Sequence, residues 1–175
     1  MPSQSLFDIN TFLDTHHKVD IDAPFVLPDA GDYPAQITDT QRTPGINVIS
    51  GVGDDGRPYA ILNVQWELQD ETIKAKLNTE RVFARQSFFL DLTEDTPPQL
   101  DFGTNKNMRL RSLWKATGCK PNSKGQINIG MLKFQTGYVH VENMPARGPN
   151  ADPDMLFPTV TRVTSADKAR ANGAV

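Results

Sequence analysis

The chain has 175 residues, enough for one domain with a real core. With 38% apolar and 22% charged residues it reads as globular, and its one cysteine, Cys119, excludes an internal disulfide framework and a cysteine-rich zinc site. No stretch reaches the roughly 20 apolar residues of a membrane helix. Met1 to Asn10 lacks the basic-then-apolar order of a secretory signal, so a cytosolic, non-membrane protein is expected.

The net charge of −3 does not by itself suggest a polyanion as partner, but its distribution is uneven. Residues 1–101 carry 17 acids against 7 Lys and Arg. Phe102 to His140 holds no acid and seven cations: Lys106, Arg109, Arg111, Lys115, Lys120, Lys124 and Lys133. Folding either gathers these cations into one anion-binding surface or spreads them around the domain, and both readings stay open here.

Residues 1–32 read as an N-terminal extension. Ser5 followed by Leu6, Phe7, Ile9, Phe12 and Leu13 suggests a short amphipathic turn, which Pro24, Pro28 and Asp29 to Asp32 then break. The first strand is expected over Tyr33 to Arg42. A polar, glycine-rich, mobile loop is expected from Thr43 to Pro58. The second strand, Pro58 to Gln69, is the clearest: Ala60, Leu62, Val64, Trp66 and Leu68 share one face, and Tyr59, Ile61, Asn63, Gln65 and Glu67 the other. After a charged connector over Asp70 to Asn78, a third strand runs from Glu80 to Leu92. There Val82, Ala84, Phe88 and Leu90 alternate with Arg81, Phe83, Arg85, Ser87 and Phe89, and Gln86 interrupts the apolar face.

A helix is predicted over Met108 to Thr117, with Asn105 or Thr104 as N-cap and Gly118 as the C-terminal stop. Leu110, Leu113 and Trp114 form its apolar side. The basic loop Lys120 to Gly125 returns the chain to strands at Ile127 to Phe134 and Tyr138 to Glu142, linked tightly by Thr136-Gly137. A last strand is expected at Phe157 to Val163, and a frayed polar tail over residues 165–175. The fold class is therefore mainly β: a five-stranded OB-like Greek-key barrel over residues 33–164, with one helix between strands three and four. A generic α+β sandwich is the alternative.

Catalytic signals are poor. Adjacent residues such as His16-His17 rarely point the same way, and His140 reads as a surface or groove residue. Cys119 follows a helix C-terminus, where the dipole disfavours a thiolate. No phosphate loop, dinucleotide fingerprint or HExxH helix occurs, and the acids Asp54-Asp55, Asp152 and Asp154 sit in turns. No enzyme, metal or cofactor is expected. Binding signals are better, because single-strand binding needs cations for phosphates and flat side chains for bases. Arg81, Phe83, Arg85 and Phe89 mix both types on one strand face, with Tyr59 and Asn63 beside them and Lys133, Phe134, Tyr138 and His140 later. Phe83 fits stacking or packing equally, Phe89 reads as a packing residue, and Trp66 and Trp114 as core.

Several segments also match a known pattern. They are Ser5-Leu6-Phe7-Asp8 with Phe12-Leu13, Ala30 to Ala35, Leu100 to Gly103 with Asn107 to Gly118, Leu132 with Gly137 to Val141, and Phe157 with Val160 and Arg162-Val163. On these, from about Ser5 to Val163, the chain resembles bacteriophage single-stranded-DNA-binding proteins with OB folds. The resemblance implies sequence-nonspecific protection of single-stranded DNA in phage replication or recombination, in the host cytoplasm. Self-association and contacts with replication or recombination proteins stay open. Cellular single-strand binders end in an acidic tip that recruits partners; this sequence ends Lys168 to Val175, so recruitment of that kind is not expected.

The expected mechanism is phosphate neutralisation by Arg81, Arg85, Lys106, Arg109, Lys120, Lys124 and Lys133, with stacking on Phe83, Tyr59 and Tyr138. The rivals are a phage structural or assembly β-barrel, whose exposed Phe residues serve protein contacts, and a small nuclease. The nuclease would need a carboxylate cluster that the sequence does not offer.

Overall fold

A computed structural model describes residues 26–39, 44–146 and 151–171. The expected N-terminal turn at Ser5 to Leu13 and the His16-His17 pair lie outside the described residues. The chain is mainly β, with strands β1 (Gly31–Ile37), β2 (Ile46–Val52), β3 (Pro58–Leu68), β4 (Val82–Leu90), β5 (Thr136–Pro145) and β6 (Leu156–Thr164). Among the described residues three short helices accompany them: α1 (Glu71–Lys76) after β3, α2 (Met108–Ala116) after β4, and α3 (Ala166–Ala171) after β6.

β3 is the axis of the six-stranded mixed sheet. One edge pairs with β4 over its whole length, from Ala60 opposite Leu90 to Leu68 opposite Val82. The other edge is divided between two strands. β2 takes the N-terminal part, with Val52 opposite Pro58 and Ile46 opposite Val64, and β1 takes the end, with Ile37 opposite Trp66 and Ala35 opposite Leu68. β1 also pairs with β5, β5 with β6, and β6 meets β4 in parallel through Arg85 and Thr159. The pairings thus run β1–β3–β4–β6–β5 and back to β1, a ring-like arrangement from which β2 projects as an open edge.

Period-two alternation puts one side of every ring strand inside. Leu62, Val64, Trp66 and Leu68 of β3, Ala84 and Phe88 of β4, Val139 and Val141 of β5, and Val160 of β6 are buried there. Each large side chain contributes about 1.5–3 kcal/mol through burial. Gln86, which broke the apolar pattern, accepts a hydrogen bond on Oε1 from Trp66 Nε1 at 3.1 Å. The indole N–H therefore enters the core satisfied. α2 adds Leu110, Leu113 and Trp114 to the core, and Gly118 follows it with φ +73°, a left-handed stop as expected.

Several expectations are corrected. The loop expected at 43–58 contains β2, whose hairpin with β3 turns through Gly53 to Arg57. The connector after β3 holds α1, capped by Asp70 Oδ1 accepting from Ile73 N at 3.0 Å and anchored by buried Ile73. β1 ends at Ile37 rather than Arg42. The strand expected at Ile127 to Phe134 is instead a 3-10 turn, Ile129–Leu132, in which Asn128 Oδ1 accepts from Met131 N at 3.2 Å. Thr136-Gly137 opens β5 rather than linking two strands. The tail carries α3, which buries Ala169.

The start of α2 also differs. Asn107, not Asn105 or Thr104, stands at its N-terminus with φ +48° and caps nothing with its side chain. That buried side chain ties the chain after β4 to the helix entry. Its Oδ1 accepts from Asp91 N at 3.0 Å, and its Nδ2 donates to Asp91 O and Asp101 O at 2.8 Å each. Asn107→Ala should cost about 3 kcal/mol, from two part-buried groups left unpaired, Asp91 N and Asp101 O, from the lost bond to Asp91 O, which keeps Asp101 N, and from a left-handed backbone that Ala disfavours. Asn107→Gly should cost about 1 kcal/mol less, because glycine relieves only the backbone part. Urea unfolding of both variants measures the two contributions; equal losses would show that the backbone conformation contributes nothing.

Candidate functional site

The outward face of β2, β3 and β4 is arranged in cross-strand rows. At one end Tyr59 stands opposite Gly51, and next to it Ile49, Ile61 and Phe89 form a row. Then come Asn47, Asn63 and Ser87, followed by Gln65 opposite Arg85, which itself meets Thr159 of β6. Glu67 and Phe83 form the last row. Phe89 is 81% exposed, so the packing expected for it does not occur among the described residues. Tyr59 is 38% exposed and lies against β2, where a Cβ on Gly51 would come within 2.8 Å of its hydroxyl. The glycine is what lets the ring settle there. In the middle row Ser87 Oγ donates to Asn63 Oδ1 at 2.7 Å, leaving the Asn63 amide nitrogen turned to solvent.

Three adjoining hollows follow this face around the ring. The first lies over β3 and β4 and is lined by Asn47, Asn63, Gln65, Arg85 and Ser87 with Pro44 and Val64. The second shares Arg85 and Ser87 and continues over the β5–β6 hairpin, with Met144, Phe157, Thr159 and Arg109 among its lining. The third shares Arg109 and Thr161 and runs between β4, β6 and α2, where Arg162 joins. Among the described residues no carboxylate lines any of the three. Among the described residues Arg85 and Arg109 have no carboxylate within 4 Å, and Arg109 lies over the Phe88 ring at 5.1 Å. Arg162 reaches Asp32 at 3.3 Å, and Asp32 in turn meets His140 Nδ1 at 3.0 Å.

The other expected cations are paired or lie away from these hollows. Arg81 grips Glu67 with two hydrogen bonds, Nε at 2.9 Å and Nη2 at 2.6 Å, and lies 4.8 Å over Phe83. Its charge is compensated and the Phe83 ring is capped, so neither is free for a ligand as this pair stands. Lys133 pairs with Asp39 at 2.6 Å, and that hydrogen bond holds the Asp39 carboxyl below its usual range. Lys106 approaches Asp91 at 3.8 Å. Lys120 and Lys124 are exposed on the loop after α2 and line none of the hollows, and neither does Tyr138, half-buried on β5. The acid-free stretch therefore sends only Arg109 to the groove. Arg162, Phe157 and Met144 were missed as site residues. Their signal is the alternation that continues beyond Tyr138 and His140 along the β5–β6 hairpin, where Met144 stands opposite Phe157.

Hydrogen bonding from Arg81 pulls the Glu67 pKa below its ordinary value, and the same pair raises that of Arg81. A depressed acid stabilises the fold fully above its unfolded pKa, 4.5 for glutamate, and loses that stabilisation as pH falls through the lower folded value. Glu67→Gln should therefore cost about 1–2 kcal/mol at neutral pH, and the gap from the unsubstituted protein should narrow below pH 4.5. Urea unfolding at neutral and acid pH checks this. A gap independent of pH would assign the loss to packing.

No protein-family model matches this chain, and no curated protein sequence matches it either.

Proposed function

We propose that the chain binds single-stranded DNA along this groove, largely without regard to sequence. The observation that carries the reading is a continuous run of hollows lined, among the described residues, by three arginines and no carboxylate in a protein of net charge −3. Most of the chain repels a polyanion, so a surface free of acids marks where one is tolerated. Exposed Phe89 and Tyr59 stand at one end of the same face and offer flat apolar surfaces to unstacked bases.

The finer reading of the fold supports the same function. Taken in ring order, the five ring strands run first, second, third, fifth, fourth, with a helix between the third and fourth. That is the order of an OB-type barrel, which we propose here, with β2 as an elaboration of the first connection. Such barrels bind nucleic acid on strands two and three and on the loops joining strands one to two and four to five. In this chain those are β3 and β4, the β2 region, and the β5–β6 hairpin that supplies Met144 and Phe157. The sequence resemblance to phage single-stranded-DNA-binding proteins agrees, and it assigns the activity to phage replication or recombination.

The mechanism we propose is compact. Arg85 and Arg109 neutralise phosphates, Arg162 joins them when a phosphate takes the place of Asp32, and Phe89, Tyr59 and Phe157 meet bases. Three neutralised phosphates on a single strand give a salt slope of about −2, so a fourfold rise in salt should weaken binding roughly fifteen- to twentyfold. Arg85→Ala and Arg109→Ala should each weaken binding and reduce the slope by about 0.7. Phe89→Ala should weaken it by about 1–3 kcal/mol with the slope unchanged. Fluorescence anisotropy with labelled oligo-dT at two salt concentrations reads all of these. Absence of binding at low salt would overturn the proposal and return the exposed Phe89 row to a protein interface, the structural or assembly role.

A further inference from the structure

The third hollow exists because two neighbouring strands part. β4 and β6 share one registered pair, Arg85 with Thr159, and then diverge. The gap between Gln86 to Phe88 on one side and Thr161 to Val163 on the other is roofed by Met108, Ser112 and Leu113 of α2. Its volume is about 260 Å³. That lies below the roughly 300–1,000 Å³ of sites for drug-sized molecules and suits a single flat ring.

One wall carries an incompletely used polar group. Gln86 is only 5% exposed, and its Oε1 accepts from Trp66 Nε1. An indole nitrogen can only donate, so this bond fixes the orientation of the amide. The NH2 of Gln86 is left with no acceptor among the described residues. That nitrogen is not sealed from solvent, and a carbonyl entering the slot that Gln86 lines would replace water as its acceptor. Arg109 and Arg162 line the same slot.

We propose that this slot takes one unstacked base of the bound strand, a base bearing a ring carbonyl. The carbonyl accepts from the Gln86 amide, and the adjoining phosphate lies with Arg109 and Arg162. The inference rests on the single-strand reading above and sharpens it. Thymine, cytosine and guanine bring a carbonyl; adenine does not. A paired base has its edge occupied and its ring stacked, so duplex DNA cannot fill the slot without base extrusion.

Oligo-dT and oligo-dA, titrated against the full chain and two variants, test this. Ser112→Trp fills the slot from the exposed side of α2. Gln86→Glu keeps an oxygen toward Trp66 and replaces the free donor. The unsubstituted protein should bind oligo-dT roughly three- to tenfold tighter than oligo-dA, the worth of about one hydrogen bond. Oligo-dA also stacks on itself, but that is a property of the DNA and would persist in the variants. Both variants should therefore lose most of the oligo-dT advantage. Ser112→Trp should leave oligo-dA affinity within about twofold, whereas the carboxylate of Gln86→Glu lies with Arg109 and Arg162 and should weaken both oligonucleotides alike, so its readout is the ratio. An unchanged ratio in the variants overturns the base slot and leaves the groove standing. Failure of both oligonucleotides to bind the unsubstituted protein overturns both. Should Ser112→Trp unfold the chain, Gln86→Glu alone decides.

Discussion

The single parallel contact between β4 and β6 closes the ring, and the rest of the surface follows from it. Arg85 and Thr159 are its only registered pair. On one side of that point the outer face of β3 and β4 runs continuously onto the β5–β6 hairpin. On the other side the two strands separate, and α2 roofs the gap. A fully zipped β4–β6 ladder would close the slot and remove the turn in the groove where Arg109 stands. The closure is affordable because the interior beneath it is filled by Trp66, Phe88, Leu113 and Val160. Packing there substitutes for the ladder hydrogen bonds that the parting strands forgo.

Two arginines four residues apart show how position decides availability. Arg81 immediately precedes β4, and Arg85 stands on its outer face. Arg81 lies just beyond the end of the β3–β4 ladder, within reach of Glu67, and a bidentate pair consumes its charge. Arg85 stands opposite Gln65, which is neutral, and stays uncompensated among the described residues. A carboxylate at position 65 would occupy Arg85 much as Glu67 occupies Arg81. The two phenylalanines divide the same way: Phe83 is capped by Arg81, whereas Phe89 has only Ile61 opposite it and stays open.

This explains what could be read from the sequence. β3, β4 and α2 were legible because each buries one regular face, so period two and period 3.6 showed directly. β2 was not, because it is an edge strand exposed on both sides and has no buried alternation to reveal it. α1 is a single turn and a half held by the Asp70 cap and one buried side chain, too little to outweigh its charged composition. At Ile127 to Leu132 the apolar residues suggested a strand, but the Asn128 side chain captures a backbone N–H and tightens the chain into a 3-10 turn. Within the site, the face containing Arg85, Phe89 and Tyr59 was legible from alternation. Which of its cations are spent was not, since each partner lies far away in sequence, as with Asp39 for Lys133 and Glu67 for Arg81.

The order of chemistry along the groove bears on what fits it. Apolar Tyr59, Ile61 and Phe89 come first, then an uncharged hydrogen-bonding band of Asn47, Asn63 and Ser87, then Arg85, and beyond it Arg109 and Arg162. A globular protein partner would match a patch of one character, apolar core within polar rim. This surface is instead a strip whose character changes along its length, apolar at one end and cationic at the other. A flexible polyanion with separable aromatic units can satisfy both ends at once, because its charges and its rings turn independently about the backbone. Duplex DNA does not offer this, since its ring faces are stacked inside and it presents only phosphates, sugars and base edges. On the proposed function the same reasoning makes the middle band informative: a charge there would tie a strand to one register, whereas amides and a hydroxyl would let a chain of any sequence slide past while keeping its polar groups solvated or bonded.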